Sequence, residues 1–182
     1  MGIETERLLM RPFTAEDVNV IHRIWTEPGV RLFLWDNDII PPEMARYVVT
    51  QSADMFQREG AGIQAVVLRG TNELIGFCGY WYFHEPPQLE LSFGLTTAQW
   101  GKGLAQEAAR AMIRYGFEQR GMEKIEASAD VPNLVSLGVM EKIGMRLVKE
   151  ESVNGKPIAF YDITREAWRP HASRYEVIQA AA

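Results

Sequence analysis

The feature that most constrains the fold is a predicted strand, a glycine-rich loop and a predicted helix that follow one another within residues 89–121. Apolar side chains occupy every second position of residues 89–95, which is typical of a strand with one buried face. Residues 103–120 place their apolar side chains on one side of a helix, and Gly121 suits the position where a helix ends. This succession indicates a mixed α/β fold.

The rest of the chain alternates between helical and strand patterns. Helices are predicted at residues 15–26, 41–60 and 133–143. Strands are predicted at residues 63–68, 74–83, 124–129, 146–150 and 158–164. Pro28 and Gly29 are expected to end the first helix, and Asn154-Gly155 to form a hairpin turn. With 182 residues and 47% apolar content, the chain fits one α/β (α+β) domain at residues 1–168 and a C-terminal tail at residues 169–182.

The composition limits the classes of function. A net charge of −5 argues against nucleic-acid binding, which needs a basic surface. No run of 18 apolar residues and no targeting signal is readable, so we expect no membrane partner and a cytoplasmic location. The single cysteine, Cys78, lies in an apolar run and is expected in the core, without a disulfide. His22, His84 and His171 lack the spacing of metal ligands, so no metal is predicted.

The loop at residues 99–105 carries the strongest chemical signal. Its small residues allow a phosphate to approach the backbone, and the first turn of the following helix offers uncapped N–H groups with the positive end of the helix dipole. Lys102 adds a cation nearby. The plain alternative is a glycine turn that only connects two elements.

Two other nucleotide motifs compete for this loop. A P-loop needs four residues between its first glycine and a Gly-Lys-Ser/Thr ending, and the sequence contains no such string. A dinucleotide fingerprint needs glycine at position 106, where Gln106 stands, although Glu126 lies near the right distance for a ribose ligand. Dinucleotide binding therefore stays open as an alternative.

Several segments resemble one known family. The stretch Trp-Gly-Lys-Gly-Leu-Ala at residues 100–105 resembles the acetyl-CoA-binding motif of the GCN5-related N-acetyltransferase (GNAT) superfamily. Residues 6–12, 133–145 and 161–168 resemble the opening strand, the fourth-helix motif and the closing strand of the branch that acetylates ribosomal-protein N-termini. The resemblance implies a mostly antiparallel sheet flanked by helices, whose splayed central strands bind acetyl-CoA.

The resemblance also implies a set of residues that bind the acetyl-CoA co-substrate. These residues are Phe93, Leu95, Trp100, Gly101, Lys102, Gly103, Leu104, Ala105 and Asn133. Trp100 departs from the superfamily, which usually has Gln or Arg there.

Two side chains are predicted to be catalytic. Glu90 lies on the polar face of its strand and is the candidate for taking a proton from the amine, with an exposed strand carboxylate as the alternative. Ser136, where many members of the superfamily have Tyr, is the candidate acid for the leaving thiolate. The alternatives are that Asn133 only caps a helix and that Ser136 only packs.

The predicted activity is N-acetyl transfer to an amine-bearing acceptor. A lysine side chain costs about 4.6 kcal/mol to neutralise at pH 7 and an α-amino group about 1 kcal/mol, so a protein or peptide N-terminus is favoured. A small molecule, such as an amino acid, an amino sugar or a drug-like amine, stays open, as does a non-catalytic acetyl-CoA-binding module. Acceptor contacts are expected from the first two predicted helices and residues 81–84. The chain is expected to be a monomer or a homodimer.

Overall fold

Nine strands form one open sheet in a computed structural model that describes residues 2–178. The strand order is β7-β8-β6-β5-β4-β3-β2-β1-β9. Neighbouring strands are antiparallel except β5 and β6, which run parallel. The strands are β1 (Gly2–Thr5), β2 (Leu8–Arg11), β3 (Ile63–Leu68), β4 (Glu73–Phe83), β5 (Gln88–Leu95), β6 (Lys124–Asp130), β7 (Arg146–Val153), β8 (Lys156–Thr164) and β9 (Tyr175–Ile178).

Helices cover both faces of this sheet. The helices are α1 (Val18–Thr26), α2 (Pro28–Leu34), α3 (Pro42–Glu59), α4 (Leu104–Glu118) and α5 (Leu134–Lys142). On one face, Ile63, Ala65 and Val67 of β3 share a core with α1 and α3. On the other face, Val66 of the same strand shares a core with α4. The central strands are therefore buried on both sides, which explains why β3 and β4 are continuously apolar in sequence.

The structure confirms the predicted mixed sheet flanked by helices, and it corrects one helix boundary. Pro28 and Gly29 do not merely end the first helix, because Pro28 begins α2. Proline is tolerated in the first turn of a helix, where its missing N–H needs no partner. The break between the helices falls at Glu27, whose backbone is extended (φ −56°, ψ 134°).

The C-terminal segment adds an edge strand that the sequence did not indicate. Residues 169–182 were expected to be a tail, but β9 pairs antiparallel with β1, with Ile3 opposite Val177. A strand of four residues carries too short a pattern to be recognised without its partner, which lies at the other end of the chain. Met1 and residues 179–182 lie outside the described residues.

The parallel contact between β6 and β5, the third and fourth of the nine described strands in spatial order, opens a gap inside the sheet. β5 and β6 meet at one register pair, Glu90 opposite Glu126, and the strands separate beyond it. Unpaired backbone groups on the facing edges of the two strands are therefore open to a ligand.

Within residues 2–178, no helix is both long and apolar enough to cross a membrane.

Candidate active site

A groove of about 800 Å³ starts where β5 and β6 separate and runs along the first turns of α4 and α5. It is lined by the following predicted site residues: Glu90, Phe93, Leu95, Trp100, Gly101, Gly103, Leu104, Ala105, Asn133 and Ser136. Lys102 is outside this lining, and its Nζ lies 2.9 Å from Gln99 Oε1. Residues separated by more than forty positions in sequence therefore meet in one groove.

Two glycines shape the loop before α4. Gly101 and Gly103 both have a φ of +75°, in the left-handed region that L-residues with side chains rarely adopt. Gly103 is the residue that precedes α4, and no side chain among residues 2–178 caps the first turn of this helix there. Its backbone N–H groups and the positive helix dipole therefore form a site suited to an anion.

Arg7 holds this loop from the neighbouring β-hairpin. Its Nη1 donates to the Lys102 carbonyl oxygen over 2.9 Å, and its Nε donates to Glu107 Oε2 over 2.7 Å. Burial opposes ionisation of Glu107, but hydrogen bonds from Thr5 and Arg7 outweigh it and lower the pKa of Glu107. Arg7 thus holds the loop through its hydrogen bond to Lys102 and holds the start of α4 through its ion pair with Glu107.

Glu90 is buried, so the alternative of an exposed strand carboxylate is wrong. Its relative exposure is 2%, and its Oε2 accepts a hydrogen bond of 2.6 Å from Ser128 Oγ. Oε1 lies 3.0 Å from His84 Nε2 but accepts no well-aligned hydrogen bond from a described residue. Burial raises the pKa of Glu90 above its ordinary value, and the Ser128 hydrogen bond only partly offsets this.

His84 and Ser128 were not recognised as site residues from sequence. Both line the groove, and His84 Nε2 lies 3.0 Å from Ser128 Oγ. His84 has a φ of +64° at the turn after β4, and its ring packs against Phe160 with 5.2 Å between centroids. The sequence holds no local signal for this cluster, because its members come from two strands and a turn that only the fold brings together.

Asn133 and Ser136 lie at the start of α5. The backbone N–H of Ser136 donates to Asn133 Oδ1 over 3.2 Å, so Asn133 is the predicted helix cap and also lines the groove. Within the described part of the chain, the Ser136 hydroxyl makes no side-chain hydrogen bond. It is therefore free to contact a ligand in the groove.

Glu27 joins the α1–α2 connection to the end of β5. Its carboxylate accepts hydrogen bonds from Thr96 Oγ1 (2.6 Å), Thr97 N (2.8 Å) and Thr97 Oγ1 (2.8 Å). Trp100 Nε1 donates to the Leu95 carbonyl oxygen over 2.8 Å, so the indole supports the same loop. Sequence did not identify Glu27, since its partners lie about seventy residues away.

The other end of the groove is lined by α2 and the β7–β8 hairpin. The two helices predicted to contact the acceptor correspond to α1 and α3, and neither contributes a residue to this lining. Asp36 follows α2 and forms an ion pair with Lys156 of the hairpin. Of the aromatic run, Phe83 lines the groove, whereas Tyr82 donates from its hydroxyl to Glu59. Asp130 also lines this end, and burial raises its pKa.

Cys78 lies in the core and is not among the residues that line the groove. Cys78 is fully buried, as expected, and burial raises the pKa of its thiol. No cluster of three or more His, Cys, Asp or Glu side chains within residues 2–178 is arranged to hold a metal ion.

Comparison with known proteins identifies the class. The model of the acetyltransferase (GNAT) domain matches residues 7–146, so the chain belongs to the GNAT acetyltransferase family. The uncharacterized N-acetyltransferase p20 of Bacillus licheniformis is 28% identical over 86% of this chain and 91% of its own length. The GNAT acetyltransferase structure from Bacillus anthracis is 28% identical, with a TM-score of 0.78 over 91% of this chain and 99% of its own.

The fold also matches acetyltransferases of ribosomal proteins. A ribosomal L7/L12 α-N-protein acetyltransferase in complex with coenzyme A has a TM-score of 0.76 at 17% identity, over 92% of this chain and 99% of its own. The protein is therefore an acetyl-CoA-dependent acyltransferase, in a family that transfers acetyl groups to amines. The sheet is mostly antiparallel, unlike the parallel sheet of a dinucleotide-binding fold. Glu126, the candidate ribose ligand of that alternative, pairs with Lys124 Nζ at 2.7 Å.

Proposed function

We propose that this enzyme transfers the acetyl group of acetyl-CoA to the α-amino group at the N-terminus of a protein or peptide. One observation carries the proposal: a single groove joins the open N-terminus of α4, suited to a pyrophosphate, to the polar cluster around buried Glu90 between the separated strands. An acyl-transfer enzyme needs both, because it must bind the CoA diphosphate and receive a proton from the attacking amine.

The loop before α4 would bind the pyrophosphate of CoA. Gly101 and Gly103 support this role, because glycine adopts the left-handed backbone and places no side chain between the ligand and the N–H groups of Leu104 and Ala105. Lys102 would add positive charge at the rim of the groove. Asn133 and Trp100 would contact other parts of the cofactor along the same wall.

The thioester would lie at the gap between β5 and β6. Phe93 and Leu95 line the groove on β5 beyond the last register pair with β6. Backbone groups on that unpaired edge would hold the pantetheine arm and donate a hydrogen bond to the carbonyl oxygen as it gains negative charge. No charged side chain is required for this step.

The two proton transfers would use side chains from two different elements, β5 and α5. The Glu90 cluster would receive the proton that the amine nitrogen loses when it bonds to the carbonyl carbon. Ser136, whose hydroxyl faces the same groove, would protonate the sulfur as the C–S bond breaks. Amide and free CoA are then the products.

The choice of acceptor rests on the cost of forming a neutral amine. An α-amino group needs about 1 kcal/mol at pH 7, whereas a lysine side chain needs about 4.6 kcal/mol. Asp36, its ion-pair partner Lys156 and Asp130 together carry one net negative charge at the acceptor end of the groove, which would attract a cationic amine. Structural neighbours named as ribosomal-protein N-acetyltransferases are consistent with a protein acceptor.

A small-molecule amine is the second candidate acceptor. One relative, named FsC-acetyl coenzyme A-N(2)-transacetylase from Aspergillus fumigatus, is 29% identical over 50% of this chain and 47% of its own length. That name does not describe a ribosomal-protein acceptor, so small amines belong in the same test.

The test is an acceptor panel assayed by release of free CoA thiol, with mass spectrometry of the product. The peptides share one sequence that contains an internal lysine, and they differ only in a free or a blocked N-terminus. Free amino acids, amino sugars and polyamines complete the panel. We expect acetylation of the free α-amino group and none of the blocked peptide. Turnover confined to small amines would contradict the proposed acceptor.

A further inference from the structure

Three polar side chains form a cluster at the floor of the groove. His84 Nε2 lies 3.0 Å from both Ser128 Oγ and Glu90 Oε1, and Ser128 Oγ donates to Glu90 Oε2 over 2.6 Å. The three residues come from the β4–β5 turn, β5 and β6, and all of them line the groove. The hydrogen bond from Ser128 to Glu90 joins β6 to β5 next to their register pair, Glu90 opposite Glu126.

With Glu90 ionised, the hydrogen bonds determine which nitrogen of His84 carries the proton. Ser128 has one hydroxyl hydrogen, which is donated to Glu90, so its oxygen can only accept from His84. Glu90 Oε1 is also an acceptor. A favourable contact with either oxygen requires a hydrogen on Nε2, so Nδ1 of the neutral ring carries the lone pair.

Exposure then separates the roles of His84 and Glu90. The Glu90 side chain is 2% exposed and both of its oxygens face His84 and Ser128, whereas the His84 side chain is 19% exposed. His84 Nδ1 makes no hydrogen bond with another residue in the range 2–178. The accessible base of the cluster is therefore the imidazole, not the carboxylate.

The backbone at His84 supports a functional position. Its φ of +64° lies in the left-handed region, which residues with side chains adopt only where the surrounding structure holds them. Phe160 packs against the ring and holds its orientation. Residues in such conformations cluster at sites where a side chain must be held in one place.

We propose that His84 is the catalytic base of this enzyme and that Glu90 and Ser128 are positioning residues that hold its ring. The inference rests on amine acetylation as the reaction. The amine nitrogen bonds to the thioester carbonyl carbon, and its excess proton passes to His84 Nδ1. The C–S bond breaks with its electron pair on sulfur, the carbonyl is restored, and the thiolate takes a proton from the acid. His84 then returns its proton to solvent.

Several charged groups surround this cluster and bear on its pH dependence. Glu90 contacts the ring directly, Glu126 lies opposite Glu90 on β6, and Glu85 is the next residue in the turn. On the β7 side, Lys149 Nζ lies 4.7 Å from the centre of the Phe160 ring. A pH profile must therefore be compared between variants that leave all four of these groups in place.

His84→Gly and His84→Asn are the test variants, because glycine and asparagine both tolerate the left-handed backbone. With the best acceptor of the panel, we expect kcat at pH 7 to fall about 100-fold, within the range for loss of a general base. Acetyl-CoA affinity should stay unchanged. The rate of both variants should rise with pH as more of the acceptor arrives neutral, and added imidazole should restore His84→Gly in a saturable manner.

His171→Asn is the matched control, since it removes an exposed imidazole outside the groove and should leave kcat unchanged. Wild-type kcat in His84→Gly would overturn the proposal. So would a loss that neither imidazole nor higher pH reduces, because that pattern indicates a structural role.

A second measurement is independent of turnover. Nitrogen NMR of the imidazole distinguishes its two neutral tautomers, and we expect the form protonated on Nε2 in the wild type. Protonation on Nδ1 would overturn the assignment of the base. Failure of every amine in the panel would instead count against the proposed acceptor, while this tautomer measurement would still test His84.

Discussion

Ser136 lines the groove, and its hydroxyl has no hydrogen-bonding partner among the described side chains. The hydroxyl is therefore available to protonate the leaving thiolate. We expect Ser136→Ala to lower kcat about 10- to 100-fold. This is the low end for general acid catalysis, because a thiol with a pKa near 8.5 needs little help to leave. Acetyl-CoA affinity should change little, and raising the pH should not rescue the variant.

Steady-state and single-turnover rates with saturating acetyl-CoA measure this effect. Ser152→Ala, on the exposed strand β7, is the matched control and should keep wild-type rates. If Ser136→Ala keeps wild-type kcat while chemistry limits turnover, then Ser136 only packs and the proton comes from water or another group.

At the level of single residues, the sequence located the carboxylate but not its surroundings. Alternation along β5 placed Glu90 on the polar face of its strand, and resemblance linked that strand to acetyl-CoA. The burial of Glu90 could not be predicted from sequence, because the groups that cover it come from elsewhere in the chain. Ser128 lies 38 positions later, and His84 lies in a turn with a left-handed backbone. Contacts between distant segments have no local signature.

Asp17 links β2 to the start of α1 and anchors the first helix to the sheet. Its carboxylate accepts hydrogen bonds from Arg11 Nη1 (2.6 Å), Arg11 Nη2 (3.0 Å) and the Thr14 N–H (2.7 Å). Burial opposes ionisation, but these hydrogen bonds outweigh it and lower the pKa of Asp17. The charged form is therefore favoured more in the folded state than in the unfolded chain.

We expect Asp17→Asn to reduce the free energy of unfolding by about 2 kcal/mol at pH 7, since charge-assisted hydrogen bonds are lost. A lowered pKa stabilises the fold above the pKa of the unfolded state and ceases to do so as the pH falls through the folded-state pKa. The difference between the proteins should therefore shrink at acid pH.

Urea unfolding between pH 7 and pH 3 measures this difference. Asp54→Asn, at an exposed position of α3, is the matched control and should change stability by less than about 0.5 kcal/mol. An equal loss for Asp17→Asn at both ends of the pH range would show that its charge is not responsible.

At the level of elements, the hydrophobic pattern predicted the long helices and the central strands. An apolar face of three helical turns or more is a clear pattern, and so is an alternating or continuous apolar run of strand length. The elements that sequence missed are short or depend on their neighbours. Proline at position 28 marked a boundary but not whether a helix ends or begins there. β9 is stabilised by pairing with β1 and not by its own four residues.

For the whole molecule, the order of the strands decides the function. Among the described strands, the one parallel contact puts the gap inside the sheet, between the third and fourth strands in spatial order, and the loop that follows β5 brings the N-terminus of α4 to that gap. Resemblance predicted this arrangement, whereas composition and periodicity alone gave only a mixed α/β domain. Strand order is a non-local property that a single sequence does not display.

Acetyl-CoA is proposed to bind with its pyrophosphate at Gly103. The most direct test is calorimetric titration of acetyl-CoA into Gly103→Val and Gly121→Val. Both substitutions place a side chain on a left-handed backbone, at φ +75° and +66°, but only Gly103 lines the groove. We expect Gly103→Val to weaken binding about 10- to 100-fold, the equivalent of one or two hydrogen bonds to a charged group, and Gly121→Val to keep wild-type affinity. Equal affinities in the two folded variants would place the pyrophosphate elsewhere.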